Sequence, residues 1–193
     1  MLTIDKVDIF GKLKTQTLPI DKLVTERLLL IPFTIEICQH LLNDDFSDLF
    51  KMDFKKGKSW PDNDVIETLP KIINNLSEVD APTGFESWMI IKKDTLEIIG
   101  DAGFKGFNHQ AQNADIGYGI IKEERRNGYA EEAASALINW AFSTKMVKEI
   151  TANCLHNNVS SIKLLQKLDF IKTKEDDEMV YWMLQNKLII LKP

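Results

Sequence analysis

Apolar positions along the chain keep two different rhythms. From Thr25 onward, short apolar runs of strand length alternate with polar turns, beginning with Arg27-Leu28-Leu29-Leu30-Ile31-Pro32-Phe33, where Pro32 belongs at a strand end or sheet edge. Thr34 reads as a helix N-cap, with Ile35, Cys38, Leu41 and Leu42 at helical spacing behind it. Residues 44–80 carry a weaker pattern. Trp60-Pro61-Asp62-Asn63 marks a turn and a helix start, while Pro70 interrupts Val65, Leu69, Ile72, Ile73 and Leu76, which predicts a broken or two-piece helix. Residues 88–91 and 97–104, parted by the polar Lys92-Lys93-Asp94-Thr95, predict an antiparallel hairpin, and residues 115–121 add a third strand to a meander.

After Gly128 the period lengthens. Ala130, Ala133, Ala134, Leu137, Ile138 and Ala141 form the stripe of an amphipathic helix running to Lys145. A strand over 149–154, a helix over 159–168 and strands over 170–172 and 180–184 follow. Antiparallel strands succeeded by a strand-helix alternation predict an α+β layered architecture, with a mixed, mostly antiparallel central sheet flanked by helices. A chain of 193 residues makes one domain of this kind over 1–193, with residues 1–22, which lack clear periodicity, as an N-terminal arm.

Charge and cysteine content narrow the classes of function. Lys plus Arg number 24 against 29 Asp plus Glu, and a net charge of −5 argues against a broad electrostatic grip on nucleic acid. No apolar run approaches the roughly 20 residues of a membrane helix. The start Met1-Leu2-Thr3-Ile4-Asp5 carries acid early rather than a basic leader, so a cytoplasmic protein with no membrane partner is expected. Two distant cysteines, Cys38 and Cys154, and three scattered histidines give no zinc or disulfide framework, and no metal is expected.

One segment carries chemistry: Glu123-Glu124-Arg125-Arg126-Asn127-Gly128-Tyr129-Ala130-Glu131-Glu132, between an apolar strand and the long amphipathic helix. A glycine-containing loop at a helix start leaves backbone N–H groups free to converge on an anion, the helix dipole adds positive potential, and Arg125 and Arg126 add guanidinium groups suited to phosphate oxygens. Diphosphate binding is the physical reading. The bland alternative is a glycine-eased turn with solvated arginines. The segment has neither the Lys-Ser/Thr of a nucleotide P-loop nor the three-glycine spacing of a dinucleotide fingerprint.

Arg125-Arg126-Asn127-Gly128-Tyr129-Ala130 matches the [QR]-x-x-G-x-[GA] acetyl-coenzyme A signature of the GNAT (GCN5-related) N-acetyltransferases. Thr25-Glu26-Arg27-Leu28-Leu29-Leu30 resembles the T-E-R-L-x-L opening of the RimJ/RimL-like, ribosomal-protein-alanine acetyltransferase branch, and Asp115-Ile116-Gly117-Tyr118 resembles its E-I-G-Y strand. The stretch from Asn158 through Ser161 to Leu168-Asp169-Phe170 is similar to its N-x-x-S-x-x-x-L-E-K-L-G-F block. The four blocks occur in family order.

The resemblance implies a GNAT fold splayed between the fourth and fifth strands, here 115–121 and 149–154, with acetyl-CoA as co-substrate in the gap. It implies an N-acetyltransferase acting on a primary amine of a small molecule or a protein N-terminus, as a monomer or homodimer; the alternative is a CoA-binding sensor without turnover. Ile120 and Ile121 would meet the pantetheine arm through backbone, and the N–H groups of Arg126, Asn127, Gly128, Tyr129 and Ala130 would meet the pyrophosphate. Independently of the family, Gly117 and Gly119 fit a bulge or a close backbone approach.

Catalysis by direct transfer needs a proton acceptor for the amine and a donor for sulfur. Asp115 stands where relatives often carry a glutamate and is the candidate base, with Asp101 as the alternative. The position of the usual tyrosine acid is Leu165. Ser161 is the candidate for a hydrogen bond to sulfur, with Asn158 either joining it on the pantetheine arm or capping the helix. Asp169 replaces a glycine, so that turn is expected to differ. Residues 44–86 are expected to build the acceptor pocket, with Trp60-Pro61 as its lid.

Overall fold

The computed structural model describes residues 21–187, so residues 1–20 of the expected arm lie outside the described residues. Leu23–Val24 (β1) and Leu28–Pro32 (β2) pair antiparallel. Thr34 caps Ile35–Leu42 (α1), its hydroxyl accepting from the Ile37 N–H at 3.1 Å. Two short elements that the apolar pattern does not announce follow, Ser47–Lys51 (α2) and Lys55–Lys56 (β3).

Asn63–Ser77 (α3) is one unbroken helix, not two pieces. Pro70 removes a backbone donor, but it sits on the exposed side, while Val65, Leu69, Ile72 and Leu76 bury a stripe that ties both halves to the core. Trp60, expected as a lid, is instead fully buried among core residues. Its large apolar ring is more favourably placed there than over an open pocket.

Ser87–Lys92 (β4), Glu97–Asn108 (β5) and Asn113–Ile120 (β6) form the antiparallel meander. Lys122–Glu124 makes a short 3₁₀ turn before Tyr129–Ser143 (α4), whose stripe of Ala133, Ala134, Leu137, Ile138 and Ala141 is buried. Glu149–Leu155 (β7), Val159–Lys167 (α5), Ile171–Glu175 (β8) and Met179–Gln185 (β9) complete the chain. The sheet runs β1-β2-β4-β5-β6-β7-β9-β8, with β3 added beside β5. β6 with β7 and β3 with β5 are parallel; the other pairs are antiparallel.

Register assigns the two faces. Trp88, Ala102 and Tyr118 are cross-strand partners, and Trp88 meets Trp140 of α4 with ring centroids 6.1 Å apart, so this face lies under α4. Asp101 pairs with Gly119 on the other face, toward the start of α3. Among the described residues no helix is long and apolar enough to cross a membrane.

Candidate active site

Gly128 is the N-cap of α4 and adopts φ +81°, a left-handed conformation that glycine reaches without steric cost. Arg126 is left-handed as well, at φ 68°. No side chain caps the helix, and from Arg126 to Glu131 the backbone N–H groups meet no acceptor among the described residues. Unclaimed donors at a helix start, with the dipole behind them, form an anion cradle. Every residue the sequence nominated for the phosphates, from Arg125 to Ala130, lies on it. The nearby acids are already engaged: Glu123 by the Ser59 hydroxyl at 2.6 Å, Glu124 by Lys92 at 2.8 Å, Glu131 by Lys167 at 2.7 Å, and Glu132 by Arg27 at 2.7 Å. Local positive potential therefore survives in a net acidic chain.

Beside the cradle the sheet opens. β6 and β7 pair only through Asn113 with Glu149, Ala114 with Ile150 and Asp115 with Thr151. Beyond that ladder β6 continues on β5 alone and β7 continues on β9, so one backbone edge of residues 116–120 faces a gap. This is the splay expected between the fourth and fifth strands. Of the two residues expected to meet the arm through backbone, Ile121 has both groups engaged, its N–H donating to the Ile99 carbonyl at 2.9 Å and its carbonyl accepting from the Glu124 N–H at 3.0 Å. Alternation along a strand then turns the Ile120 carbonyl to the gap side, where the Arg125 Nε holds it at 2.8 Å.

Nor is there a bulge in β6. The irregularity lies on β5 between Phe104 and Phe107, while Gly117 and Gly119 stay in register with Gly103 and Asp101. A side chain at Gly117 would meet nothing within 4 Å, so the glycine leaves open space rather than admitting another backbone of the protein.

The candidate acids separate clearly. Asp115 closes the β6–β7 ladder, ion-paired with Lys105 at 2.5 Å and accepting from the Thr151 hydroxyl at 3.0 Å. It lines a cavity of about 600 Å³ together with Asn75, Glu78, Glu86, Lys105 and His109, among others. Asn75, Glu78, Val79, Thr83, Phe85 and Glu86 contribute part of its wall. Asp101 stands instead beside the opened half, with Oδ1 3.5 Å from the point a Gly119 Cβ would occupy. It has no hydrogen-bond or ion-pair partner among the described residues. Loss of surrounding water, and after it the charges of Asp62 and Asp64, push its carboxyl up to about 7.

On the opposite face, Tyr118 reaches across the gap, its hydroxyl donating to the Ser161 carbonyl at 3.5 Å. Burial pushes that hydroxyl up to about 12, so it keeps its proton at neutral pH. Asn158 caps α5, its Oδ1 accepting from the Ser161 N–H at 3.1 Å. Leu165, at the usual tyrosine position, is buried and brings no donor.

A sequence model of the acetyltransferase (GNAT) domain matches residues 27–171. The chain belongs to the GNAT acetyltransferase family. It is 36% identical over 165 residues to the uncharacterized N-acetyltransferase YjdG of Bacillus subtilis (strain 168), covering 86% of this chain and 98% of that one. The fold is shared with the ribosomal-protein-S5-alanine acetyltransferase of Vibrio fischeri, at a TM-score of 0.61 and 15% identity over 86% of this chain and 97% of the other. The ribosomal L7/L12 α-N-protein acetyltransferase RimL in complex with coenzyme A superposes at a TM-score of 0.60, with 13% identity over 84% of this chain and 96% of the other. Membership makes this GNAT protein an N-acetyltransferase.

Two features of this GNAT site escape motif reading. Tyr118 carries a signal, since it lies in the E-I-G-Y-like strand, yet its reach to α5 depends on the gap. Arg27 lies in the T-E-R-L-like opening, but its place against Glu132 appears only in three dimensions.

Proposed function

We propose that this protein transfers the acetyl group of acetyl-CoA to a primary amine of a small molecule or a protein N-terminus. The observation that carries the reading is the run of unclaimed N–H groups from Arg126 to Glu131, set beside the half of β6 that has lost its β7 partner. The residues present fit the co-substrate: the cradle suits its diphosphate, the bare edge at 116–120 suits the amides of its arm, and the open surface at Gly117 leaves room for it. Acetyl-CoA supplies an activated thioester.

The chain's own groups then divide by face. Asp101 takes a proton from the amine as the C–N bond forms, and the C–S bond breaks as the thiolate departs on the other face. There the Tyr118 hydroxyl, turning from the Ser161 carbonyl, donates a hydrogen bond to sulfur without giving up its proton, since a phenol raised to about 12 is a weaker acid than a thiol near 8.5. The thiolate takes its proton from water on release. Asp115, held by Lys105 and Thr151, shapes the cavity on the Asp101 face, which we assign to the acceptor.

The test is mass spectrometry of ligand released from purified protein, followed by an amine panel read by free-thiol formation. Released CoA with acetylated amine supports the reading. Released CoA with no turnover on any amine replaces it with the sensor, and no CoA binding removes both.

A further inference from the structure

An acid four positions into an anion-binding helix is a liability, and Glu132 is that acid. Its side chain is only 17% exposed, and it accepts from the Thr25 hydroxyl at 2.5 Å, from the Arg27 backbone N–H at 2.8 Å and from Arg27 Nε at 2.7 Å. Burial alone draws its carboxyl upward, but the hydrogen bonds from Thr25 and Arg27 outweigh that and leave it below its ordinary value.

Arg27 does more than cancel this charge. Its Nη1 donates to the Asn127 carbonyl at 2.9 Å, its guanidinium lies 4.7 Å from the Tyr129 ring centroid, and its Nη2 stands 3.3 Å from the place a Gly128 Cβ would fill. One planar fork therefore touches or abuts Asn127, Gly128, Tyr129 and Glu132, all residues of the cradle or of the first turn behind it. The Asn127 contact matters for direction: a carbonyl held by Arg27 faces away from the anion, so the peptide N–H on its other side, that of Gly128, is turned toward the cradle.

We propose that Thr25, Arg27 and Glu132 are a brace that sets the phosphate cradle before ligand arrives. They act as positioning residues for the diphosphate, joining the turn between β1 and β2 to the first turn of α4. The brace rests on the acetyl-CoA reading but makes a separate demand. It serves the phosphates and not the amide arm, so its loss must be felt by CoA and ignored by pantetheine, which has the same arm without diphosphate or nucleoside. Arg27→Lys keeps the positive charge but loses the planar fork that holds Glu132 and Asn127 at a fixed angle and lies against Tyr129, so it should recover little.

The experiment is calorimetric titration of wild-type, Arg27→Ala, Arg27→Lys and Thr25→Val protein with CoA, and competition with pantetheine, each checked by thermal unfolding. The expected result is at least a tenfold loss of CoA affinity in Arg27→Ala, most of that loss in Arg27→Lys, a smaller loss in Thr25→Val, and unchanged pantetheine affinity. Thr25→Val removes a single hydroxyl and serves if Arg27→Ala does not fold; unaltered CoA affinity in that variant would then overturn the brace. CoA affinity unaltered in Arg27→Ala, or CoA and pantetheine weakened alike, overturns the brace while the functional reading stands. Wild-type protein that binds no CoA overturns both.

Discussion

The two halves of β6 share one strand and one neighbour in β5, yet they do opposite things. Residues 113–115 are all paired with β7, and the carboxylate there, Asp115, is engaged by Lys105 and Thr151. Residues 116–120 are paired on one edge, and beside them stand a carboxyl with no partner, Asp101, and a tyrosine spanning the gap. A sheet edge normally has to be covered or blunted. Here the unpaired edge is kept short and lies next to unclaimed donors.

Substitutions that respect or violate this division should separate the halves. Gly128→Glu puts a branched-off anion and a left-handed non-glycine residue against the cradle at the open end, and should reduce CoA affinity more than 100-fold, read by calorimetry, roughly the cost of placing like charges at a desolvated phosphate site. Asp101→Asn should lower kcat about 100-fold, the usual worth of a positioned base. Because Asp101 ionises near 7, the wild-type rate should climb as pH rises through 7, and the variant should lose that limb. Asp115→Asn, in the closed half, should leave the limb in place. A limb that instead follows Asp115 would reverse the assignment.

The same ionisation has a stability signature. Asp101 takes up its proton in the folded state near pH 7 but near 3.8 when unfolded, so between those values the folded form holds the extra proton and stability falls as pH rises. Asp101→Asn should flatten that fall in urea titrations run at several pH values. Tyr118→Phe is expected to cost about 10-fold in kcat with little change in acetyl-CoA KM, the worth of a hydrogen bond to a charged atom. The smallest effect belongs to the end of α5, the helix that flanks the gap. Asp169→Gly relieves a left-handed aspartate at φ 64° and should raise stability by roughly 0.5–1 kcal/mol, seen as a higher urea midpoint without loss of activity.

Sequence made the meander and the α4 stripe legible because both are local periodicities, and the cradle legible because its residues are consecutive. What is not legible there is long-range or a matter of which face wins. Pro70 breaks a helix in the abstract, but a buried stripe on the other side holds α3 together. Asp169 was expected to change its turn, yet it takes the glycine conformation, and the Phe170 N–H still reaches the Leu165 carbonyl at 3.0 Å. Asp115 stands at the motif position of the base, and its engagement by Lys105 is not readable from strand spacing, because the irregularity between Phe104 and Phe107 shifts the pairing. Arg27 and Glu132 are 105 positions apart, beyond any periodic signal.

With acetyl-CoA in the gap, the three-pair seam between β6 and β7 would also act as a depth gauge. A slender chain drawn between two diverging strands stops where they close, at Asp115 and Thr151, whatever molecule waits on the far side. Extending the seam by one residue pair would shorten the channel by about 3.3 Å, so the reach of the reactive end is written into the sheet rather than into any side chain.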